Sequence, residues 1–130
     1  MLHKEHLFKQ QISDLREREK DLRCLYKVEE AISEGLPFDS LFYRIINLIP
    51  YGWQYPAVCR AKITYEGVMF KEPGWKETDW KQSSPIEVDE KIVGRIEVFY
   101  TEFRKFYKDT PFLPEEQKLL NTIAKLVNNY

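Results

Sequence analysis

The chain has 130 residues, of which 43% are hydrophobic and 15% aromatic, enough for the core of one domain and too much for a disordered chain. Its 20 basic and 21 acidic residues are interleaved, whereas nucleic-acid-binding proteins usually carry a basic patch. No apolar run approaches the ~20 residues that span a bilayer, and Cys24 and Cys59 fit no metal-binding pattern. These features predict a cytoplasmic domain without nucleic acid, membrane, metal or other cofactor.

The first third of the sequence predicts one long helix. No glycine or proline occurs between Lys4 and Glu34, and good helix formers dominate this stretch. Apolar residues repeat every seven positions, with a second row offset by four, which is the pattern of a coiled-coil seam interrupted at Glu19. We expect this seam to pair two copies of the chain in a homodimer. The predicted interface consists of Phe8, Ile12, Leu15, Leu22 and Tyr26.

The apolar stripe moves to another side of this helix near residue 22. The later stripe consists of Leu25, Val28 and Ile32. We therefore divide the chain into a coiled-coil helix at residues 1–21 and a domain at residues 22–130, whose core receives the later part of the helix. Gly35 and Pro37 follow the stripe, and a glycine with a proline just after it is typical of a helix end.

A shorter helix and a strand are predicted next. The helix begins at residue 38 or 39, has one strongly apolar face, and ends before Pro50. Apolar and polar residues then alternate over residues 57–65, which is the pattern of a half-buried strand.

Three further strands complete the expected sheet. They are predicted at residues 68–70, 85–88 and 91–100, with residues 72–83 irregular. Short turns join the first pair and the last pair of strands, and only antiparallel strands can be joined so tightly. One face of the fourth strand is predicted to carry Ile92, Gly94, Ile96, Val98 and Tyr100. Pro114 and the two acids after it predict the start of a final helix, so the expected fold is α+β, with helices before and after an antiparallel sheet.

Four segments carry recognisable motifs. They are residues 22–32, residues 48–63 (L-I-P-Y-G-W-Q-Y-P leading to C-R-A-K-I), residues 94–100 (G-R-I-E-V-F-Y) and residues 111–124 (P-F-L-P-E-E-Q-K-L-L-N-T-I-A). Together they resemble the short GAF domains of archaeal and bacterial sensor histidine kinases. The likeness covers about residues 22–127.

The resemblance implies a sheet with the N- and C-terminal helices packed together on one side, often in a dimer. Such domains sense small ligands or relay signals between the flanking domains of two-component proteins. In this chain the connection between the second and third strands, at residues 71–84, is short. It leaves little wall around a tetrapyrrole or a cyclic nucleotide.

The leading functional hypothesis is a non-catalytic sensory or relay domain of a larger signal-transduction protein, a sensor histidine kinase. The chain has no Ser/His/Asp set and no glycine-rich phosphate loop, so we do not expect it to be an enzyme by itself. The alternative is a receptor that binds a small molecule in an aromatic pocket over the sheet. Its predicted ligand-binding residues are Arg60, Lys62, Phe70, Trp75, Asp79 and Trp80.

A third hypothesis is a cysteine-based reductase of the GAF fold. This chemistry needs a nucleophilic and a resolving cysteine close together, and the positions of the two cysteines in the chain do not favour it. Cys59 falls on the apolar side of the first strand, so we expect a buried and unreactive thiol. Cys24 is expected to be more exposed.

Overall fold

The computed structural model describes residues 2–72, 77–103 and 110–128; before residue 18, only the side chains of Lys9, Gln11 and Arg16 are described. The chain order is helix, helix, four strands, helix. The elements are α1 (Leu2–Ser33), α2 (Phe38–Leu48), β1 (Cys59–Tyr65), β2 (Val68–Lys71), β3 (Lys81–Val88), β4 (Lys91–Tyr100) and α3 (Pro114–Asn128). Two short 3₁₀ turns, Ile49–Gly52 and Pro56–Val58, connect α2 to β1.

The helices begin and end where the sequence predicts. α1 is one uninterrupted helix, and Gly35 after it adopts a φ of +70°, a left-handed conformation that glycine accepts without strain. α2 starts directly after Pro37, and Pro114 is the first residue of α3. Proline suits the first helical position because its missing N–H has no partner there in any helix.

The four strands form one antiparallel sheet, as predicted, and their order in it is β2-β1-β4-β3. β1 pairs with β2 through Ile63 and Phe70, and with β4 through Lys62 and Glu97. β3 pairs with β4 and lies at one edge of the sheet, while β2 lies at the other.

β3 begins at Lys81, so the expectation that residues 72–83 are irregular is wrong for its last three residues. Exposed and buried side chains alternate along β3, but the residues that face inwards at its start are Gln82 and Ser84. A strand whose inner positions are polar has no apolar alternation to reveal it. The sequence therefore predicted only the second half of β3, from Pro85 onwards, which contains the apolar Ile86.

A β-bulge changes the face on which Ile92 lies. Ile86 pairs with Gly94 and Glu87 pairs with Ile92, so Val93 is an extra residue in β4. Beyond the bulge the alternation is reversed, and Ile92 is 69% exposed. The prediction that Ile92 shares the buried face of β4 is therefore wrong. Ile96, Val98 and Tyr100 on that face are fully buried, as expected.

All three helices lie on one side of the sheet and bury its inner face. α2 contacts β1 and β2, α3 contacts β3 and β4, and α1 packs on α2 and α3. The buried stripe of α1 consists of Cys24, Val28 and Ala31, while Leu25 and Ile32 are half-buried. Cys24 is thus more buried than predicted, because the core-facing stripe begins one turn before Val28.

The first and last helices meet at the Ile49–Gly52 turn. A Cβ atom on Gly52 would lie 2.9 Å from the Cys24 side chain and 3.1 Å from that of Leu119. Only a glycine therefore allows α1 and α3 to approach this turn so closely. The contact confirms the prediction that the N- and C-terminal helices pack together. None of the helices among the described residues has the length and apolar character of a membrane span.

Candidate functional site

Arg60 and Lys62 of the predicted pocket lie on the outer face of the sheet, away from the helices. They alternate along β1 with Cys59, Ala61 and Ile63, which are buried in the core. The Arg60 guanidinium turns back along its own strand and donates to the Cys59 carbonyl at 2.8 Å. Arg60 therefore holds the start of β1.

Lys62 belongs to a charged cluster on the same outer face. Its Nζ lies 3.4 Å from Oε1 of Glu97, and the same oxygen accepts a hydrogen bond from Nε of Arg95 at 3.1 Å. Lys62, Glu97 and the neighbouring Phe99 are all buried, although they do not face the helices. This end of the outer face is closed, so Lys62 serves as the partner of a buried carboxylate rather than lining an open pocket.

The structure does not bring the aromatic members of the predicted pocket to that face. Phe70 lies on the helix side of β2, where its ring is 5.2 Å from that of Phe42 and 5.7 Å from that of Tyr43. Trp75 lies outside the described residues. Trp80 precedes β3 at the opposite edge of the sheet from Phe70.

Asp79 and Trp80 do line a cavity, which we call the strand-end cavity. It lies where β3 begins and β4 ends and has a volume of about 510 Å³. Its lining consists of Thr78, Asp79, Trp80, Thr101, Glu102 and Phe103. The Trp80 and Phe103 rings meet edge to face, with centroids 6.0 Å apart. Two aromatic and two acidic residues are therefore among those that line one open space.

Hydrogen bonds to main-chain groups hold the cavity residues in place. The Tyr100 amide donates to the Trp80 carbonyl at 3.0 Å, which extends the β3–β4 pairing by one residue. The Thr78 hydroxyl donates to the Tyr100 carbonyl at 2.8 Å and accepts from the Trp80 amide at 3.3 Å. Four of the lining residues were not predicted from the sequence: Thr78, Thr101, Glu102 and Phe103. The predicted start of β3 was too late in the chain to show the pairing that brings residues 78–80 beside residues 101–103.

A buried polar network joins the loop before β1 to β3 and α3. The Trp53 indole N–H donates to the Gln82 side-chain oxygen at 2.6 Å, and the Gln82 amide nitrogen donates to Oε1 of Gln117 at 3.3 Å. Trp53 is fully buried. A buried indole N–H requires such an acceptor, which explains why a glutamine, Gln82, faces the core at this point of β3.

Glu116 makes a second link between the same loop and α3. Its carboxylate is buried and accepts hydrogen bonds from the amides of Gln54 and Leu113, both at 2.7 Å. The Leu113 bond caps the start of α3, because Glu116 reaches back over the first turn. This acid, one of the two that predicted the start of the final helix, therefore also anchors the loop.

Both cysteines are buried, and neither forms a disulfide. Burial is the main cause that raises the pKa of the Cys24 thiol to about 12, with a further contribution from Asp21. Burial, followed by the charge of Glu116, also raises the pKa of Cys59. A reactive cysteine needs a lowered pKa, so the environment of each thiol opposes nucleophilic chemistry. Within the described part of the chain, no group of three or more His, Cys, Asp or Glu residues is placed to hold a metal ion.

A scan against protein families, a search of characterised proteins and a search of solved structures each found no match to this chain. The likeness to GAF domains therefore stays a prediction.

Proposed function

We propose that this chain is a non-catalytic sensory or relay domain of a larger cytoplasmic signal-transduction protein, a sensor histidine kinase. In this proposal two copies pair through α1, and the paired helices pass a displacement to α3 and to the flanking domains of the parent protein. Small rotations and shifts of packed helices are an established mode of switching.

The observation that carries the proposal is an exposed apolar pair on α1. Leu22 is 67% and Tyr26 66% exposed, and both belong to the predicted coiled-coil seam. The buried residues of the same helix are Cys24, Val28 and Ala31. With 3.6 residues per turn, the two sets lie about 180° apart around the helix axis. The domain core therefore leaves these two seam positions free to contact a second chain. Phe8, Ile12 and Leu15, the other seam positions, lie outside the described side chains.

The contact at Gly52 supports the relay step. Cys24 on α1 and Leu119 on α3 both lie within about van der Waals distance of this residue. The space between the three would not admit even one added methyl group, so a shift of α1 towards the turn displaces the turn, α3, or both. Closely packed interiors transmit strain in this way.

Sedimentation equilibrium of the intact chain and a Leu22→Glu, Tyr26→Glu variant tests the proposal. We expect a dimer for the intact chain and a folded monomer for the variant, because the two carboxylates would face each other across the seam. Asn47→Glu is the matched control, since it adds one carboxylate at an exposed position of α2. It should leave the dimer intact. If the intact chain is monomeric at high micromolar concentration, the relay proposal is wrong.

The strand-end cavity favours a second candidate function, a receptor for a small molecule. Small-molecule sites typically combine apolar and aromatic walls with a few polar groups, in volumes of about 300–1,000 Å³. The cavity, at about 510 Å³, has this size and composition. Its position differs from that of the pocket predicted over the sheet. Of the predicted lining residues that the structure describes, it includes Asp79 and Trp80 but not Arg60, Lys62 or Phe70.

A further inference from the structure

A groove lies between β3 and α3, and we call it the β3–α3 groove. Its volume is about 420 Å³, within the range of about 300–1,000 Å³ that is typical of small-molecule sites. Its lining includes Ser84, Pro85, Glu87, Asn121, Ala124 and Lys125. None of them lines the strand-end cavity or belongs to the predicted seam of α1, so the groove is separate from both.

The main chain of β3 offers little to an extended peptide at this groove. The Trp80 carbonyl accepts a hydrogen bond from Tyr100 of β4. Main-chain groups alternate in direction along a strand, so those of Ser83 and Pro85 point to the open edge of the sheet. The Ser83 carbonyl accepts from the Gln117 side chain at 3.1 Å, and Pro85 has no N–H to donate. Strand addition needs main-chain donors and acceptors along an edge, so the side chains define what this groove can bind.

A chain of hydrogen bonds from the core determines which group Asn121 offers to the groove. The Trp53 indole can only donate, so the Gln82 oxygen faces it and the Gln82 nitrogen donates onward to Gln117. The Gln117 nitrogen donates in turn to Oδ1 of Asn121 at 2.9 Å. Each amide in the chain is therefore held in one orientation. Asn121 is left with Nδ2 as a donor, and this nitrogen has no acceptor among the residues that the structure describes.

The hydroxyl of Ser84 is a second polar group that lines the groove. Ser84 is only 4% exposed and lies on the helix side of β3. Within the described ranges of the chain, its hydroxyl forms no hydrogen bond. Buried polar groups in proteins are nearly always hydrogen-bonded, so this hydroxyl favours a ligand that supplies the missing partner.

Two opposite charges line the same groove. Glu87 on β3 is acidic and Lys125 on α3 is basic, and in the described part of the chain neither forms an ion pair. A ligand with a single charge would be attracted by one of these side chains and repelled by the other. A zwitterion would be attracted by both, which favours a ligand that carries a carboxylate and an ammonium group.

We propose that the β3–α3 groove binds a small apolar α-amino acid. The ligand carboxylate accepts hydrogen bonds from Lys125, Asn121 and Ser84, and the ligand ammonium group donates to Glu87. The ligand side chain is short and apolar, to match the apolar part of the lining. The proposal goes beyond the relay function and depends neither on dimer formation through α1 nor on the strand-end cavity.

NMR titration of the isotope-labelled chain with three matched probes tests the proposal. L-valine is the amino acid, isovalerate is the same molecule without its amine, and isobutylamine is the same molecule without its carboxylate. We expect L-valine to bind at least about tenfold more tightly than either analogue, because each analogue lacks one charged interaction. The side-chain amide signals of Asn121 and the main-chain signal of Ser84 should shift as L-valine binds.

Three variants and one control locate the binding. Lys125→Gln and Ser84→Ala should each weaken L-valine binding by about fivefold or more. Lys118→Gln is the matched control, because it removes the same charge from an exposed position of α3 outside the groove lining, and it should leave binding unchanged. Glu87→Gln should abolish the preference for L-valine over isovalerate, a change in selectivity that a merely structural role would not produce. Circular dichroism establishes that each variant is folded, and Lys125→Gln carries the test if Ser84→Ala does not fold.

Three outcomes would overturn the proposal. Equal binding of L-valine and isovalerate would mean that the ammonium group has no partner in the groove. Equal losses in Lys125→Gln and Lys118→Gln would mean that the attraction is to the charge of α3 in general. The third is an absence of L-valine binding at millimolar concentration. None of these outcomes bears on the dimer, which sedimentation tests separately.

Discussion

The two tryptophans that the structure describes lie in contrasting surroundings. Trp53 is fully buried where the loop before β1 meets β3 and α3, and its indole N–H has an acceptor in Gln82. Trp80 is half-buried beside the strand-end cavity and contacts Phe103. A buried polar partner therefore marks the closed side of the molecule, where side chains lie between packed elements. On the open side, part of the Trp80 surface stays exposed to solvent.

α1 shows the same contrast within one helix. Val28 is fully buried, and Tyr26, two positions earlier, is 66% exposed. Valine and tyrosine can each lie in a core or on a surface. The rotation of α1 about its own axis relative to the domain therefore decides which of the two is buried. The buried face of α1 supplies stability, and we expect a partner to bind its exposed face.

The largest expected effect comes from placing the same charge on both sides of α1. Val28→Asp buries a carboxyl without a partner and should lower the free energy of unfolding by about 3–5 kcal/mol. Tyr26→Asp, its matched control, should change it by less than about 0.5 kcal/mol. Urea denaturation at submicromolar concentration measures both, since dilution removes the contribution of dimer formation. Equal losses in the two variants would contradict the helix phase described here.

Trp53→Phe and Trp80→Phe compare the two tryptophans directly. The first leaves the Gln82 oxygen buried without its donor, which should cost about 1–3 kcal/mol of stability. The second removes no buried hydrogen bond among those described, so its cost should be below about 1 kcal/mol. Thermal or urea unfolding of the two variants tests the contrast. A greater loss of stability for Trp80→Phe would mean that the packing of Trp80 stabilises the fold more than the hydrogen bond between Trp53 and Gln82 does.

Most of the fold follows from the sequence, because helix ends and hairpins are local signals. Helix boundaries were predicted from Gly35 with Pro37 and from Pro114 with the two acids after it. The antiparallel pairing was predicted from the short turns between strands. The errors occurred where a distant residue decides the conformation. Gln82 faces inwards because Trp53, 29 positions away, needs an acceptor. The bulge that exposes Ile92 depends on the pairing of β3 with β4.

The site was harder to predict because residue type does not reveal which face of a strand is open. Arg60, Lys62, Asp79 and the aromatic residues were pooled into one pocket over the sheet. In the structure a carboxylate on β4 pairs with Lys62, and Phe70 packs on α2. Glu102 and Phe103 carried no sequence signal, since their relation to Trp80 exists only once β3 and β4 are paired.

Gly52→Ala tests the coupling between the two terminal helices. The new methyl group would lie 2.9 Å from the Cys24 side chain and 3.1 Å from Leu119, so both side chains must move. Overpacking of this kind costs about 1–3 kcal/mol, and the lower entropy of the unfolded chain returns about 0.4–1 kcal/mol. We expect a net loss of about 1–2 kcal/mol. Backbone chemical shifts should change on both α1 and α3. Changes confined to the turn would contradict the relay step.

The smallest expected effect on stability concerns the buried Cys24 thiol, and it appears only at alkaline pH. Burial raises its pKa from an ordinary value near 9 to about 12, so above pH 9 the unfolded chain releases a proton that the folded chain retains. The stability that the neutral thiol contributes is complete below pH 9 and is lost as the pH rises towards 12. The intact chain should therefore lose stability above pH 9 more steeply than Cys24→Ala, by at most about 1.4 kcal/mol per pH unit. All other ionisable groups are the same in both proteins, so the difference between the two urea-denaturation curves isolates Cys24. Parallel curves between pH 8 and 11 would mean that this thiol is accessible to water, and that the contact of α1 with the Ile49–Gly52 turn opens in solution.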